Sequence, residues 1–303
     1  MIPLDICRQG IELPSPIQLL DSPLLRSKQI TLYVKREDLI HPVIGGNKWR
    51  KLNYNIQSIN KNKPNQVLSF GGAYSNHIYA LSGAGLIFGF STIGIIRGEK
   101  YEPVNLTLDF AERAGMKLHY ISRQAYRKKE TPELMHELKS KFGDFYLIPE
   151  GGSNHLALPG CAEIIAELDS QLGDDYDCVC VPCGTAGTLA GLVSSNTQKK
   201  ILGFSVLKGA AFLHENVKTL IGDLDNNNWE INLDYHFNGY AKHNSELLDF
   251  INTFHQQFGI RLEPVYSGKM FYGLFDLIKK NYFSPGSTIV ALHTGGLQNE
   301  YIQ

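Results

Sequence analysis

Long apolar runs are missing from this chain, and no stretch is long and clean enough for a membrane span. The opening Met1-Ile2-Pro3-Leu4-Asp5 lacks the basic start and apolar core of a signal peptide, so a cytoplasmic location is the default expectation. An excess of one charge is missing as well. Lys+Arg number 29 and Asp+Glu 30, and the net charge of −1 offers no footprint for nucleic acid. The Lys/Arg-rich stretch Arg123 to Lys129 is short and reads as a solvated face. Cysteines are few and odd in number, five, which argues against a disulfide framework. Cys180 and Cys183 have a spacing that suits zinc, yet no second Cys or His pair of matching spacing lies nearby. Cys178 and Cys180 alternate on an apparent strand, and buried small hydrophobes are the favoured reading. The ten histidines include no His-Glu-x-x-His pair, so no metal site is expected.

What is present is alternation. Apolar runs at 30–34, 67–70, 92–96, 117–121, 145–148, 178–182, 200–206 and 288–292 read as strands. Helical patterns fall between most of them, as at Val104 to Ala114, Pro132 to Phe142, Leu158 to Leu172 and Met270 to Lys279. Repeated β-α units predict an α/β fold of parallel sheets covered on both faces, with ligand sites at the carboxyl ends of strands. At 303 residues and 43% hydrophobic, the chain can fill the cores of two domains. Asp223-Leu224-Asp225-Asn226-Asn227-Asn228 reads as a polar loop, and there is no internal repeat or long low-complexity tract.

Three junctions carry chemistry. In Gly45-Gly46-Asn47-Lys48-Trp49-Arg50-Lys51-Leu52 a lysine follows a Gly-Gly-Asn turn and opens a helical run, with Asn47 a good helix cap. Such a lysine presents an amine that forms a Schiff base with an aldehyde once burial or a neighbouring cation depresses its pKa; Arg50 and Lys51 are placed to supply part of that field. In Phe70-Gly71-Gly72-Ala73-Tyr74-Ser75-Asn76-His77 a strand passes into an apolar helix from Ile78 to Phe88, and the junction favours a carboxylate or other anion. An N-capping serine fits the same residues without any function. In Val179-Cys180-Val181-Pro182-Cys183-Gly184-Thr185-Ala186-Gly187-Thr188 a strand enters a Gly/Thr loop that can hold a phosphate. It is neither a Walker A loop nor the Gly-x-Gly-x-x-Gly of a dinucleotide site.

An amine, an anion-binding helix start and a phosphate loop, in this order, meet the needs of pyridoxal 5′-phosphate (PLP) and an amino-acid substrate. The chain resembles the fold-type II, tryptophan synthase β-like PLP enzymes, most closely the 1-aminocyclopropane-1-carboxylate (ACC) deaminase and D-cysteine desulfhydrase family. The resemblance runs from Leu32-Tyr33-Val34-Lys35-Arg36-Glu37-Asp38 to Leu292-His293-Thr294-Gly295-Gly296. It includes Ile96-Arg97-Gly98-Glu99, Glu150-Gly151-Gly152-Ser153-Asn154 and Glu263-Pro264-Val265-Tyr266-Ser267-Gly268-Lys269. It implies two open, twisted, mostly parallel sheets with helices on both faces. It further implies a small domain at 51–151 inserted in a larger one made of 1–50 and 152–303, with the cofactor between them, and a homodimer.

The same resemblance implies roles. Lys48 matches the Schiff-base lysine, which also moves the substrate proton. Asn76 matches the partner of the cofactor's phenolic oxygen, and Gly184, Thr185, Ala186, Gly187 and Thr188 match the phosphate loop, with Ala186 where glycine is common. Ser75 matches the serine beside the substrate, with Asn76 and His77 backbone groups near its carboxylate. Tyr240 and Tyr266 match two active-site tyrosines. Ser267 falls where the family contacts the pyridine nitrogen, with a helix cap as its alternative reading. ACC deaminases carry Glu there and desulfhydrases a hydroxyl residue. A neutral hydroxyl leaves the ring less protonated and suits prompt loss of a β-leaving group. The implied activity is a PLP-dependent lyase that deaminates a small amino acid to a 2-oxo acid and ammonia, by D-cysteine desulfhydrase-type β-elimination. ACC ring opening to 2-oxobutanoate, or non-catalytic PLP binding, are the alternatives.

Overall fold

The computed structural model describes residues 3–64, 66–100, 102–224 and 226–298. Met1 and Ile2 of the opening segment and Asp225 of the polar stretch lie outside them. Ten strands form two sheets. The larger holds β1 (Ile17–Leu20), β2 (Thr31–Lys35), β7 (Cys178–Cys183), β8 (Lys200–Ser205), β9 (Trp229–Asn232) and β10 (Thr288–Leu292), in the order β1-β2-β10-β7-β8-β9. The smaller holds β3 (Gln66–Gly71), β4 (Ser91–Arg97), β5 (Lys117–Ile121) and β6 (Tyr146–Ile148), in the order β5-β4-β3-β6. Only the β1–β2 pairing is antiparallel among these. Every expected strand appears within one residue or so at each end. The edge strands β1 and β9, four residues each, have no counterpart in the apolar-run pattern, because a half-exposed edge needs no continuous apolar run.

The helices are α1 (Pro23–Lys28), α2 (Asn47–Asn62), α3 (Asn76–Phe88), α4 (Leu106–Arg113), α5 (Arg123–Tyr126), α6 (Pro132–Phe142), α7 (Ala157–Leu172), α8 (Gly187–Ser194), α9 (Phe212–Ile221), α10 (Ser245–Phe258) and α11 (Ser267–Lys279). They cover both faces of both sheets. One core joins β2, β7 and β10 to α1, α10 and α11, and another joins the opposite face to α7, α8 and α9. On the smaller sheet, α2, α3 and α4 close one face, and Tyr126, Leu134 and Leu138 of α5 and α6 close the other. Burial on two faces explains why β7 reads as an unbroken apolar run: all six of its residues are buried. Cys178, Cys180 and Cys183 are among them, as free, buried thiols. No helix among the described residues is long and apolar enough to cross a membrane.

We propose that the smaller unit spans 51–151. A boundary at residue 50 falls inside the continuous helix α2, which packs on both α7 and α3. Entry into α2 is a close passage. A Cβ on Gly46 would lie 2.1 Å from the Thr294 carbonyl oxygen, and its φ of +64° favours glycine for a second reason.

The first turn of α2 is held by buried charge. The Arg50 guanidinium is fully buried and donates to both carboxylate oxygens of Glu37 (2.8 and 2.9 Å) and of Glu167 (2.8 and 2.9 Å). Lys35 donates to Glu167 (2.7 Å), the Ser15 carbonyl (2.8 Å) and Gln171 (2.8 Å), and the Ser15 hydroxyl donates to Glu37 (2.6 Å). Burial opposes ionisation of Glu167, yet hydrogen bonds from Arg50 and Lys35 outweigh it and hold its carboxyl below the usual range. The network ties β2, α2 and α7 into one block. Arg50→Met would leave the Glu37 carboxylate buried without its partner, a loss of about 3–5 kcal/mol. Chemical denaturation of the variant against the parent chain checks this.

Candidate active site

The carboxyl ends of β3, β7 and β10 and the start of α2 open on one cavity of about 1510 Å³. Lys48, Ser75, Asn76, His77, all of Gly184 to Thr188, Tyr240 and Tyr266 line it. Ser267 does not. It is fully buried at the first position of α11, where its hydroxyl accepts from the Glu263 amide (3.1 Å) and donates to the Glu263 carbonyl (3.4 Å).

The Lys48 amine donates to Asn47 Oδ1 (2.9 Å), and Asn47 Nδ2 donates to Thr188 Oγ1 (2.9 Å). Asn47 is therefore a bridge between the lysine and the Gly/Thr loop rather than the expected helix cap. Gly46 occupies the cap position, and no side chain caps it. Burial, and then the charge of Lys51, pull the Lys48 ammonium down to about 7. Of the two cations expected to shape this field, Lys51 does so and Arg50 does not. Lys51, three residues along the helix, points to the same face as Lys48, whereas Arg50, two residues along, points to the opposite one and is neutralised by Glu37 and Glu167.

Lys51 is the residue whose place the sequence understated. Its buried amine donates to the Gly151 carbonyl (3.1 Å), Ser153 Oγ (3.1 Å) and Thr185 Oγ1 (3.3 Å), at the start of the loop leading to α8. A Cβ on Gly187 would sit 2.4 Å from Ser153 Oγ and 3.1 Å from Lys51 Nζ, so only glycine leaves this cradle open. The i, i+3 spacing from Lys48 was the available signal. Free amides at the α8 start, the hydroxyls of Thr185 and Thr188 and a buried ammonium are a donor set that fits a phosphate. Ala186, at the cap position, has φ +61°. Here the Ala-for-Gly departure is a strained one.

Ser75 is both cap and wall. Its Oγ accepts from the Ile78 amide (3.2 Å), which leaves its O–H free to donate into the cavity. The Asn76 carboxamide oxygen accepts from Gln298 Nε2. The His77 ring bonds Ser69 Oγ through Nε2 (2.8 Å), and its Nδ1 has no partner among the described residues. Burial and the charges of Lys48 and Lys51 hold this imidazole neutral.

On the facing wall, the rings of Tyr240 and Tyr266 meet edge to face, centroids 5.9 Å apart at 73°. Burial raises both phenols, Tyr266 well above its ordinary value with Tyr240 and Glu263 adding to the effect, so both stay protonated donors at neutral pH. Glu263 is a second understated residue. Its carboxylate accepts from the amides of Val265, Tyr266 and Ser267 and thereby caps α11. Burial raises its carboxyl in spite of those amides. A glutamate just ahead of a Pro-initiated turn and a helix was the signal for it.

Two outcomes follow from this geometry. A left-handed alanine costs roughly 1–2 kcal/mol, and glycine's extra chain entropy takes back roughly 0.5–1 kcal/mol. Ala186→Gly should therefore raise the Tm of the purified protein. The Lys48 amine becomes nucleophilic as it loses its proton, so the rate at which cofactor-free protein captures PLP should rise through about pH 7 and then level off. In Lys51→Met the removal of a like charge should move that midpoint to higher pH, as stopped-flow absorbance would show.

A profile of the family described as pyridoxal-phosphate dependent enzyme matches residues 15–295. The chain is 32% identical over 312 residues to the mitochondrial bifunctional D-cysteine desulfhydrase/1-aminocyclopropane-1-carboxylate deaminase of Arabidopsis thaliana, covering 95% of this chain and 78% of that protein. It is 28% identical over 314 residues to the 1-aminocyclopropane-1-carboxylate deaminase of Cyberlindnera saturnus, covering 93% and 91%. Among solved structures it is similar to an ACC deaminase homologue, with a TM-score of 0.81, 29% identity and coverage of 99% and 96%. An O-acetylserine dependent cystathionine β-synthase of Helicobacter pylori shares the fold at 15% identity and a TM-score of 0.66, over 96% and 95% of the two chains. With the profile spanning nearly all of the chain, and a buried lysine lining the same cavity as a donor set that fits a phosphate, this protein belongs to the pyridoxal-phosphate-dependent enzymes and its cofactor is PLP.

Proposed function

We propose that the protein is a lyase that deaminates a small amino acid by β-elimination, with D-cysteine the preferred substrate. D-Cysteine and water would yield pyruvate, ammonia and hydrogen sulfide. When bound, PLP supplies an electron sink for the charge left at the substrate's α-carbon. The residues of this chain do the rest. Thr185, Thr188, Lys51 and the amides opening α8 would hold the phosphate, and the Lys48 amine would hold the cofactor at its aldehyde. The free backbone amides at Asn76 and His77, at the positive end of α3, hold the substrate carboxylate. Lys48 moves the α-proton, a task that suits an amine titrating near 7. The Ser75 hydroxyl and the phenols of Tyr240 and Tyr266 line the same cavity, and in this reading they donate a proton to a departing thiolate.

The observation that carries β-elimination over ring opening is the absence of a free carboxylate at the start of α11. Residue 267 is a serine turned away from the cavity, and the Glu263 carboxylate is spent on three backbone amides. A pyridine nitrogen held near that position would find no unengaged anion there to keep it protonated. We assign Ser267 accordingly: it shapes the α11 start and keeps that position neutral. ACC deamination is the second reading, supported by the names of the relatives.

Borohydride treatment of the PLP-loaded protein should fix the cofactor to a peptide containing Lys48, and Lys48→Ala should abolish that adduct. Assays on D-cysteine, L-cysteine, D-serine and ACC should give the highest kcat/KM with D-cysteine. Faster release of 2-oxobutanoate from ACC than of pyruvate from D-cysteine would reverse the ranking.

A further inference from the structure

The segment that presents Tyr240 is short of regular structure and costly to hold. It runs from the end of β9 to the start of α10, and the backbones of Phe237, Asn238, Gly239 and Ala241 all have positive φ, at +49°, +67°, +118° and +54°. Three of these are non-glycine residues, and for Phe237 and Ala241 this region is unfavourable by roughly 1–2 kcal/mol each, less for Asn238. Inside the segment two turns are closed by single bonds, from the Gly239 amide to the His236 carbonyl (2.9 Å) and from the Lys242 amide to the Gly239 carbonyl (3.1 Å). These do not account for a conformation so far from the common basins. Something outside the segment must over-determine it.

That something is on α11. The Lys269 side chain is fully buried and makes no ion pair among the described residues. Its ammonium donates instead to the carbonyls of Gly239 (2.7 Å) and His236 (3.0 Å), with a longer contact to Val206 (3.5 Å) at the end of β8. Both of the carbonyls that close the two turns are thus gripped by one cation. Three donors meet three acceptors, which is the full capacity of a lysine ammonium. Phe237 adds an apolar anchor to the same helix, its ring meeting Tyr272 edge to face at 5.0 Å. Lys269 lies three residues beyond Tyr266, one helical turn away. The helix that starts just after one phenol therefore also grips the loop carrying the other, and the two rings meet edge to face.

We propose that Lys269 is a positioning residue for Tyr240: its buried ammonium gathers the carbonyls of residues 236 and 239 and so sets the Tyr240 phenol against Tyr266 on the cavity wall. This rests on the reading of Tyr240 as an active-site group. Lys269 touches neither the cavity nor the reacting atoms, and it acts only through the loop.

The test uses the PLP-loaded protein as the parent, Lys269→Met, Tyr240→Phe and the double variant. Amide hydrogen exchange over 236–241 should accelerate in Lys269→Met while exchange in α8 and α3 stays at the parent's rate. The kcat of Lys269→Met should fall by about tenfold, equivalent to about 1.4 kcal/mol, with PLP affinity within twofold of the parent. Adding Lys269→Met to Tyr240→Phe should then lower kcat by less than twofold, because the two changes remove the same contribution. If Lys269→Met does not fold, Lys269→Gln, which keeps two N–H donors, should show the same pattern in a milder form. Unchanged exchange over 236–241 overturns the clamp whatever Tyr240 does. Accelerated exchange with fully multiplicative kcat losses overturns its action through Tyr240. A fully active Tyr240→Phe would instead overturn the catalytic reading of that tyrosine, and the proposal's claim on catalysis with it.

Discussion

The position of the α2 start is the constraint on which the site depends. A lysine that must serve as a neutral amine near pH 7 has to be taken out of water and kept near another cation, and both conditions oppose folding. The structure meets this cost with the opposite face of the same helical turn. Arg50 is locked between Glu37 and Glu167, with Lys35 and Ser15 completing the network, so the turn cannot rotate Lys48 toward solvent. One helix thus carries an ion network that is satisfied and a pair of amines that are held in waiting. Gly160 lets α7 come in close enough for this, since a Cβ there would lie 2.0 Å from the Arg50 carbonyl oxygen.

The field in the cavity is assembled from the same elements. Lys48 and Lys51, together with the positive ends of α3 and α8, point toward a common volume, which suits a phosphate at one end and a carboxylate at the other. His77 contributes no charge, since its burial, and then the charges of those lysines, keep it neutral. The facing wall is built on α11. Glu263 caps that helix, Tyr266 precedes it, and Lys269 one turn in holds the neighbouring loop. Each wall is therefore organised by one helix start, and in each a buried charged side chain secures the geometry without itself reaching the reacting centre.

Much of this was legible along the chain. Eight of the ten strands, the order of the three junctions and the placing of Ser75 and Thr185 at strand ends followed from apolar periodicity and from turn chemistry, which are local properties. The edge strands β1 and β9 of the larger sheet were not, since neither carries a continuous apolar run. Asn47 was read as a cap because Asn often caps helices. The structure gives that place to Gly46, whose left-handed backbone and contact with Thr294 no local rule announces.

The residue types and their order point a lysine, a helix start that favours an anion and a Gly/Thr loop to one chemistry, because each rests on nearest-neighbour backbone geometry. Partnerships across the chain are another matter. That Arg50 turns to Glu37 and Glu167 rather than toward Lys48, that Lys51 reaches Thr185, that Ser267 faces Glu263 rather than the cavity, and that Lys269 grips residues about thirty positions away were decided only on folding. A side chain's direction is fixed by its own helix. What waits in that direction, and so whether its charge is spent or free, depends on which distant segment the packing brings there.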